Sequence, residues 1–150
     1  MKILLTACIA LLCAAAAQAQ LQVRRLDGSV VTLEATRLAA LPRETIRAQA
    51  HGKAIEVDAV DVREVLRAAG IEPPQQIRGA ALRQVLMADA RDGYAAAFSW
   101  AELDPALGGR RVFLVQDAHA DEGPLRLVVP ADNRPARWVR QLDSLRLVAP

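Results

Sequence analysis

The chain has 150 residues, of which 53% are hydrophobic, and its 19 Lys and Arg residues against 17 Asp and Glu residues give a formal net charge of +2. This length fits one domain that has a core of its own without disulfide or metal support. The nearly balanced charge excludes a general nucleic-acid binder, because such a protein needs a strongly basic face. Lys2 and Lys53 are the only lysines, so with so many arginines any single arginine is weak evidence for a site.

Residues 1–19 have the pattern of a secretory signal peptide. Lys2 supplies a minimal basic start, an apolar stretch follows, and the sequence AQA at 17–19 forms a cleavage site. Two alternatives are a membrane anchor, for which the apolar stretch is short, and lipid attachment at Cys8, which leaves few apolar residues before the cysteine. We predict cleavage, a single domain over residues 20–150 without a membrane span, and a periplasmic or secreted location.

Cleavage at this point changes what the protein can do chemically. It removes both cysteines, Cys8 and Cys13, so the mature chain would have no disulfide, no thiolate nucleophile and no cysteine ligand for a metal. It also removes Lys2, which leaves 18 basic residues against 17 acidic ones. The mature chain is therefore predicted to be almost neutral.

The first half of the mature chain is predicted to form two hairpins and two helical segments. The strands are predicted at 21–26, 30–33, 45–49 and 54–57. Asp27-Gly28 is a two-residue hairpin signal between the first two strands, and residues 51–53 join the second two. A helical turn at 36–41 should end at Pro42.

A clearer helix is predicted over residues 62–69. Asp61 is its expected cap, Glu64 would complete a capping box, and Gly70 should end the helix. Its apolar residues recur at helical spacing and mark the face expected to be buried, which consists of Val62, Val65, Leu66 and Ala69.

The second half of the chain contains short elements separated by turn residues. Strands are predicted at 84–88, 94–98, 111–116, 125–129 and 145–148. Short helices are predicted near Ala80, after Ser99 in a capping box with Glu102, and over residues 136–142. The apolar run within 111–116 indicates a central strand. Many short strands with small helices predict an α+β domain with a mostly β core.

Four segments, taken in order, resemble the sulfite-oxidase-type oxidoreductase molybdopterin-binding domain family. They are VDAVDVREVLRAAGI at 57–71, DGYAAAFSWAEL at 92–103, VFLVQD at 112–117 and GPLRLVVPADNRPARWVRQLDSLRL at 123–147. The first resembles a family helix that ends in Ala-Gly, and the last resembles the family's closing strand and its R-W-V-R-like turn. The resemblance implies a sulfite-oxidase-like molybdopterin-binding fold and a place among the small exported members of the family.

The chain departs from this family at the metal ligand. Catalytic members carry a molybdenum-binding cysteine just before the first of these segments, where this chain has Ala50 and His51. A neutral imidazole is a harder and weaker donor to oxidised molybdenum than a thiolate. The resemblance with this departure implies a pseudoenzyme for which no cofactor is expected. Molybdopterin bound without a cysteine ligand stays an alternative.

An arginine-rich stretch is the main candidate for a ligand site. Between residues 126 and 146 five arginines face only two aspartates. On the predicted helix Arg137 and Arg140 share a face, and paired guanidinium groups fit phosphate or carboxylate oxygens. Together with Arg134 and His51 they form the predicted anion site. The alternative is a solvated helix face in an arginine-rich protein.

Two other sets of residues are candidates, one for a partner surface and one for a metal site. Trp100 and Trp138 are candidates for a partner surface, and lining a ligand groove is the alternative. An acidic loop contains the possible metal ligands Asp117, His119, Asp121 and Glu122, although a solvated connection explains its spacing as well. We predict no metal site there.

These patterns favour a non-catalytic binding module, and they leave open whether the chain is an enzyme. The expected partner is a small anionic ligand or a periplasmic protein, and nucleic acid is excluded by the charge balance. The first alternative is a molybdopterin-dependent redox protein that binds its cofactor without a cysteine. The second is a partner subunit that acts through the surface around its tryptophans.

Overall fold

The computed structural model describes residues 19–117 and 123–150, and it shows an α+β fold with two sheets and a few short helices. The predicted mostly β core is therefore confirmed. The predicted signal peptide, apart from Ala19, lies outside the described residues and so do Cys8 and Cys13. The same is true of His119, Asp121 and Glu122 in the acidic loop.

The first sheet contains five strands, which are β1 (Gln20–Arg24), β2 (Val30–Glu34), β5 (Val85–Ala90), β6 (Ala95–Ser99) and β9 (Leu142–Val148). Their order across the sheet is β2-β1-β9-β5-β6. β1 and β9 are parallel, and the other neighbours are antiparallel. Leu21 and Val23 are completely buried while Gln22 between them is exposed, as expected for a strand with one face on the core.

The second sheet contains four strands, which are β3 (Glu44–Ala50), β4 (Lys53–Asp61), β7 (Phe113–Gln116) and β8 (Leu125–Val128). Their order is β3-β4-β7-β8, and all neighbours are antiparallel. β7 is an inner strand, as its apolar run predicted. β4 pairs with β7 only where Val60 faces Leu114 and Asp61 faces Phe113.

Three short helices complete the fold, and they are α1 (Ala35–Ala39), α2 (Val62–Ala68) and α3 (Trp100–Leu103). The predicted buried face of α2 is confirmed, and Gly70 ends that helix at a φ of +74°. Asp61 caps it by accepting a hydrogen bond from Arg63 N at 2.9 Å. The predicted capping box at Glu64 is wrong, because Glu64 pairs with Arg67 instead.

Local signals at the β3–β4 turn and at α3 are confirmed. The β3–β4 hairpin forms where predicted, and a 3-10 turn at Gly79–Arg83 precedes β5. The β1–β2 hairpin also forms, but the predicted two-residue turn at Asp27-Gly28 is wrong, because Arg24 pairs with Val30 and a longer connection joins the strands. The capping box of α3 is present, with Ser99 N donating to Glu102 Oε1 at 2.9 Å. None of the helices in the two described ranges has the length and apolar character that crossing a membrane requires.

The helix predicted over residues 136–142 is wrong. Only a 3-10 turn at Pro135–Arg137 forms, and Leu142 already belongs to β9. The backbone after this turn is used by tertiary contacts, since Val139 O accepts from Leu127 N at 2.8 Å. The indole Nε1 of Trp138 donates to Val129 O at 3.1 Å. These bonds to β8 and the residue after it fix an extended path, which a helix would not follow.

Asp104 is a completely buried carboxylate at the end of α3. It accepts hydrogen bonds from Ile77 N at 2.7 Å and from Ala106 N at 2.8 Å. Burial by itself raises the pKa of Asp104, but these two donors and the backbone N–H of Gln76 outweigh it, so the pKa lies below its ordinary value. The side chain thereby ties the loop after α2 to the end of α3.

Asp104→Asn is expected to lower the urea midpoint at neutral pH and to weaken the acid dependence of stability. The folded-state pKa lies below the ordinary value of 3.8, so the charged form stabilises the fold fully above 3.8. This contribution is lost as the pH falls below that value and through the folded pKa. Asparagine keeps one acceptor and turns an NH₂ donor toward a backbone N–H.

Urea unfolding curves at pH 7 and pH 3 measure this effect. The variant should lose less stability than the wild type between the two values. Asp143→Asn is the control, because Asp143 is about half exposed and lies 3.6 Å from Arg91, and its effect should stay within about 0.5 kcal/mol. An unchanged pH dependence in Asp104→Asn would contradict the assignment.

Candidate functional site

A cleft of about 1040 Å³ lies between the tip of the β3–β4 hairpin, β8 and the segment that precedes β9. This volume is at the upper end of the range of small-molecule sites. Its ionisable lining residues are His51, Glu56, Asp92, Arg126, Arg134 and Arg140. Its apolar lining includes Ile55, Val57, Leu127, Pro135 and Trp138. The cleft therefore combines a basic rim with an apolar wall.

Three of the four predicted anion-site residues line this cleft, and they are His51, Arg134 and Arg140. Arg134 and Arg140 are exposed, and neither has an ion-pair or hydrogen-bond partner on its side chain in the part of the chain that the structure describes. The acidic residues of the lining are already engaged. Glu56 accepts from Arg47 Nε at 2.7 Å, and Asp92 accepts from Tyr94 N at 3.0 Å. The cleft thus has a surplus of positive charge.

His51 lies at the turn of the β3–β4 hairpin. It has a φ of +50° and Gly52 has a φ of +76°, and the turn connects the paired residues Ala50 and Lys53. Positive φ at both central residues is the type I′ geometry, in which Asn-Gly is the preferred pair. Histidine is, with asparagine and aspartate, among the non-glycine residues that are enriched at positive φ. The hairpin therefore holds an imidazole at the mouth of the cleft where asparagine would suit the backbone better.

Arg137 is not part of the cleft and belongs to an internal ion network. Its Nε and Nη2 donate to the two carboxylate oxygens of Asp132 at 2.9 and 2.8 Å, and its Nη1 donates to Glu102 at 3.0 Å. Arg110 bridges the same two acids, at 2.9 Å from Asp132 and 3.2 Å from Glu102. The predicted shared face of Arg137 and Arg140 is therefore wrong, because no helix forms there and Arg137 turns toward α3.

The network around Arg137 is strongly organised. Hydrogen bonds to Asp132 raise the pKa of Arg137, burial lowers it, and the bond to Glu102 raises it further, so that the net change is upward. The Cζ atom of Arg137 also lies 4.7 Å from the ring centre of Phe98, which is a cation–π distance. The guanidinium group of Arg137 therefore has a structural role, and its bonds to Asp132 and Glu102 leave it unavailable to a ligand.

Two further contacts fix the segment that carries Arg134 and Arg140. Tyr94, which follows the β5–β6 turn, donates its hydroxyl to the carbonyl of Ala136. Gly123 lies so close to Gln141 that a Cβ at Gly123 would be 2.8 Å from Gln141 Cα. Gln141 itself has a φ of +50°. The two arginines are therefore presented by a segment that is anchored on both sides.

The predicted partner-surface residues are largely buried. Trp100 is 4% exposed and Trp138 is 9% exposed. Trp138 contributes one edge to the cleft and uses its Nε1 for the bond to Val129 O. Little of either indole is therefore available to a protein partner, and core packing accounts for most of both rings.

A second cavity, of about 430 Å³, is lined by charged residues, most of which pair with one another. Asp61 accepts from both Arg63 and Arg111, and Arg111 also pairs with Glu44. Burial raises the pKa of Asp61, but hydrogen bonds from Arg63, with help from Arg111, lower it below its ordinary value. This cluster is an internal support for the base of β4 rather than a binding site.

The cleft also contains residues that the sequence did not single out. Ile55, Glu56 and Val57 of β4 line it one after another, and Tyr94 lies at its edge. The hairpin itself was predictable from its turn residues. No local signal showed that its tip would face Arg134 and Arg140, because that contact joins segments far apart in the sequence.

The donor set does not fit a metal held by the protein. In the described ranges no group of three or more His, Cys, Asp or Glu residues is placed to hold a metal ion. Ala50 offers no donor atom and His51 offers one imidazole at an exposed turn. Asp117 of the predicted acidic loop is described, whereas the other three residues of that loop are not.

A scan against protein-family models found no match for this chain. A search of curated proteins found no match either.

Arg137→Gln is expected to destabilise the fold by about 2 kcal/mol, because it removes three charge-assisted bonds to partly buried carboxylates and leaves them only those from Arg110. Arg137→Lys should restore little of this loss, since an ammonium group cannot bond both oxygens of Asp132 and contact Glu102 in the same planar arrangement. Thermal and urea unfolding measure both variants. Arg134→Gln is the matched control and should change stability by less than about 0.5 kcal/mol. Equal effects of the two glutamine variants would contradict the assignment.

Proposed function

We propose that this protein is a binding module whose cleft takes a ligand with an anionic group and an apolar part. The observation that carries the proposal is the placement of Arg134 and Arg140, two exposed guanidinium groups without partners among the described residues, on one cleft. Guanidinium groups bind carboxylate and phosphate oxygens in fixed, often bidentate geometry. His51 adds a further donor at the opposite wall.

The apolar wall of the cleft indicates a ligand that is larger than a simple ion and has an apolar part. Leu127 is buried in β8, and Ile55 and Val57 are half-buried on β4. A cleft of about 1040 Å³ is far larger than one phosphate or carboxylate needs. A ligand that fills it would bury apolar surface here and place its charge at the arginines.

The same proposal includes the finer fold and the location. We propose a sulfite-oxidase-like molybdopterin-binding fold in an exported, periplasmic protein, and the support is the order of the four resembling segments and the signal-like residues 1–19. The position where that family has its metal-binding cysteine corresponds to His51, and His51 lines the cleft. In this proposal an ancestral cofactor cleft keeps its charge and loses its metal chemistry.

The resemblance also implies a second function, a molybdopterin-dependent redox protein without a cysteine ligand. The donor set around His51 does not favour it. Molybdenum and pterin content of protein purified from cells that make the cofactor distinguishes the two functions. We expect no stoichiometric cofactor, and near-stoichiometric molybdenum would overturn the binding-module proposal.

Arg134→Gln and Arg140→Gln, made together, are expected to weaken anion binding by roughly a hundredfold, since each charge-assisted bond contributes about 1.5 kcal/mol or more. The probes are pyrophosphate, isophthalate and a labelled peptide with a glutamate at each end, measured by calorimetry or fluorescence anisotropy. Added salt should weaken binding to the wild type more than to the double variant.

Arg78→Gln with Arg83→Gln is the matched control. Both of these arginines are exposed, and neither lines the cleft. The control should bind the probes as the wild type does. Failure of every anionic probe to bind the wild type would refute the proposed function.

A further inference from the structure

One edge of β4 has no strand partner among the described residues, and it lies beside the cleft. β3 pairs with β4 from Lys53 to Ala59, and β7 pairs with β4 only at Val60 and Asp61. In the part of the chain that the structure describes, residues 53–59 of β4 thus have a strand neighbour on one side only. The pairing between β4 and β7 thus stops before the residues of β4 that line the cleft, which are Ile55, Glu56 and Val57.

The register shows which backbone groups this edge presents. In a two-residue hairpin the residues flanking the turn, here Ala50 and Lys53, form a hydrogen-bonded pair, and bonded and non-bonded pairs then alternate. Glu56 faces Arg47 as a non-bonded pair, so its N–H and C=O point away from β3. Val60 has the same parity as Glu56 and faces β7, which agrees with this assignment.

The residues that line the cleft also indicate that the backbone of Glu56 faces it. Side chains of consecutive strand residues point to opposite faces, so a cavity against one face contacts every second residue. Ile55, Glu56 and Val57 all line the cleft. The cleft must therefore run along the edge of β4, where it meets the backbone of Glu56 as well as the side chains of both neighbours.

We propose that the occupant of the cleft is an extended acidic peptide segment, which adds to β4 as a further strand. The inference rests on the proposed function and names its ligand class. An open strand edge binds extended chains through backbone hydrogen bonds, and pockets for alternate side chains give selectivity. Glu56 N–H and C=O supply the backbone bonds, and the acidic groups of the peptide pair with Arg134 and Arg140.

The exposed guanidinium groups of Arg134 and Arg140 favour such a partner over a second copy of this chain, because a peptide can place its acidic groups at them and neutral residues beside Glu56. Antiparallel pairing of two β4 edges would instead bring Glu56 and Asp58 of one copy near the same acidic residues of the other. It would also bring two copies of Arg134 and Arg140 together without a counter-charge. An acidic peptide satisfies these guanidinium groups instead.

The test uses a fluorescein-labelled peptide with glutamate at both ends, valine in the second and fourth positions and serine in the middle. The first control has lysine in place of glutamate. The second is N-methylated at the central residue, which keeps the charge and removes a backbone donor. Fluorescence anisotropy with the whole protein should show at least tenfold weaker binding of each control.

Two variants of the protein separate backbone from side-chain effects. Glu56→Pro removes the outward N–H without touching a bond to β3, and proline is tolerated at such edge positions. Glu56→Gln removes the same charge and keeps the N–H. Because both variants lack the same charge, Glu56→Pro is compared with Glu56→Gln: it should bind the peptide at least tenfold more weakly, while the two variants should bind isophthalate equally. Circular dichroism checks that both variants are folded.

Each outcome decides a different part of the proposal. Equal binding of the N-methylated and unmodified peptides overturns strand addition and leaves the proposed anion site standing, and it does so even if Glu56→Pro does not fold. Binding of isophthalate but not of any peptide identifies a small-molecule cleft. Concentration-dependent dimers that Glu56→Pro abolishes, without peptide binding, identify self-pairing. Absence of binding by every acidic probe removes the proposed function as well.

Discussion

The ion network of Arg137, Asp132, Glu102 and Arg110 joins the segment before β9 to the first helix after β6, and the shape of the cleft depends on it. Glu102 also caps α3, so one carboxylate serves two elements. The segment is held from the other sheet by the bonds of Trp138 and Val139 to β8 and the residue after it. With both sides fixed, Arg134 and Arg140 keep their positions although no helix supports them.

The arginine-rich stretch thus divides into structural and available guanidinium groups, and the sequence does not mark the difference. Arg137 has two carboxylates and an aromatic ring within contact distance. Arg134 and Arg140 project from exposed backbone with no counter-charge among the described residues. What separates them is the pair of bonds from Arg137 to Asp132, together with the bond to Glu102, which is distant in sequence and reaches Arg137 only through the packing of α3.

Elements set by neighbouring residues were predictable from the sequence. The turn between β3 and β4, the buried stripe of α2 and the Ser99–Glu102 capping box each depend on residues within a few positions. The path of residues 138–141 was not predictable, because its hydrogen-bond partners belong to β8 and the residue after it. His51, Arg134 and Arg140 were identifiable as candidates, whereas their common cleft follows from tertiary packing. The open edge of β4 depends in the same way on where β7 stops.

The parallel pairing of β1 with β9 has a consequence for how the chain reaches this structure. β9 lies between β1 and β5, so the five-stranded sheet is two separate hairpins until β9 is inserted. Contacts between such distant segments form slowly because a long loop must close first. A partly synthesised chain would leave the inner edges of β1 and β5 without their strand partner. During that interval the incomplete chain would be a substrate for a chaperone that covers unpaired strand edges.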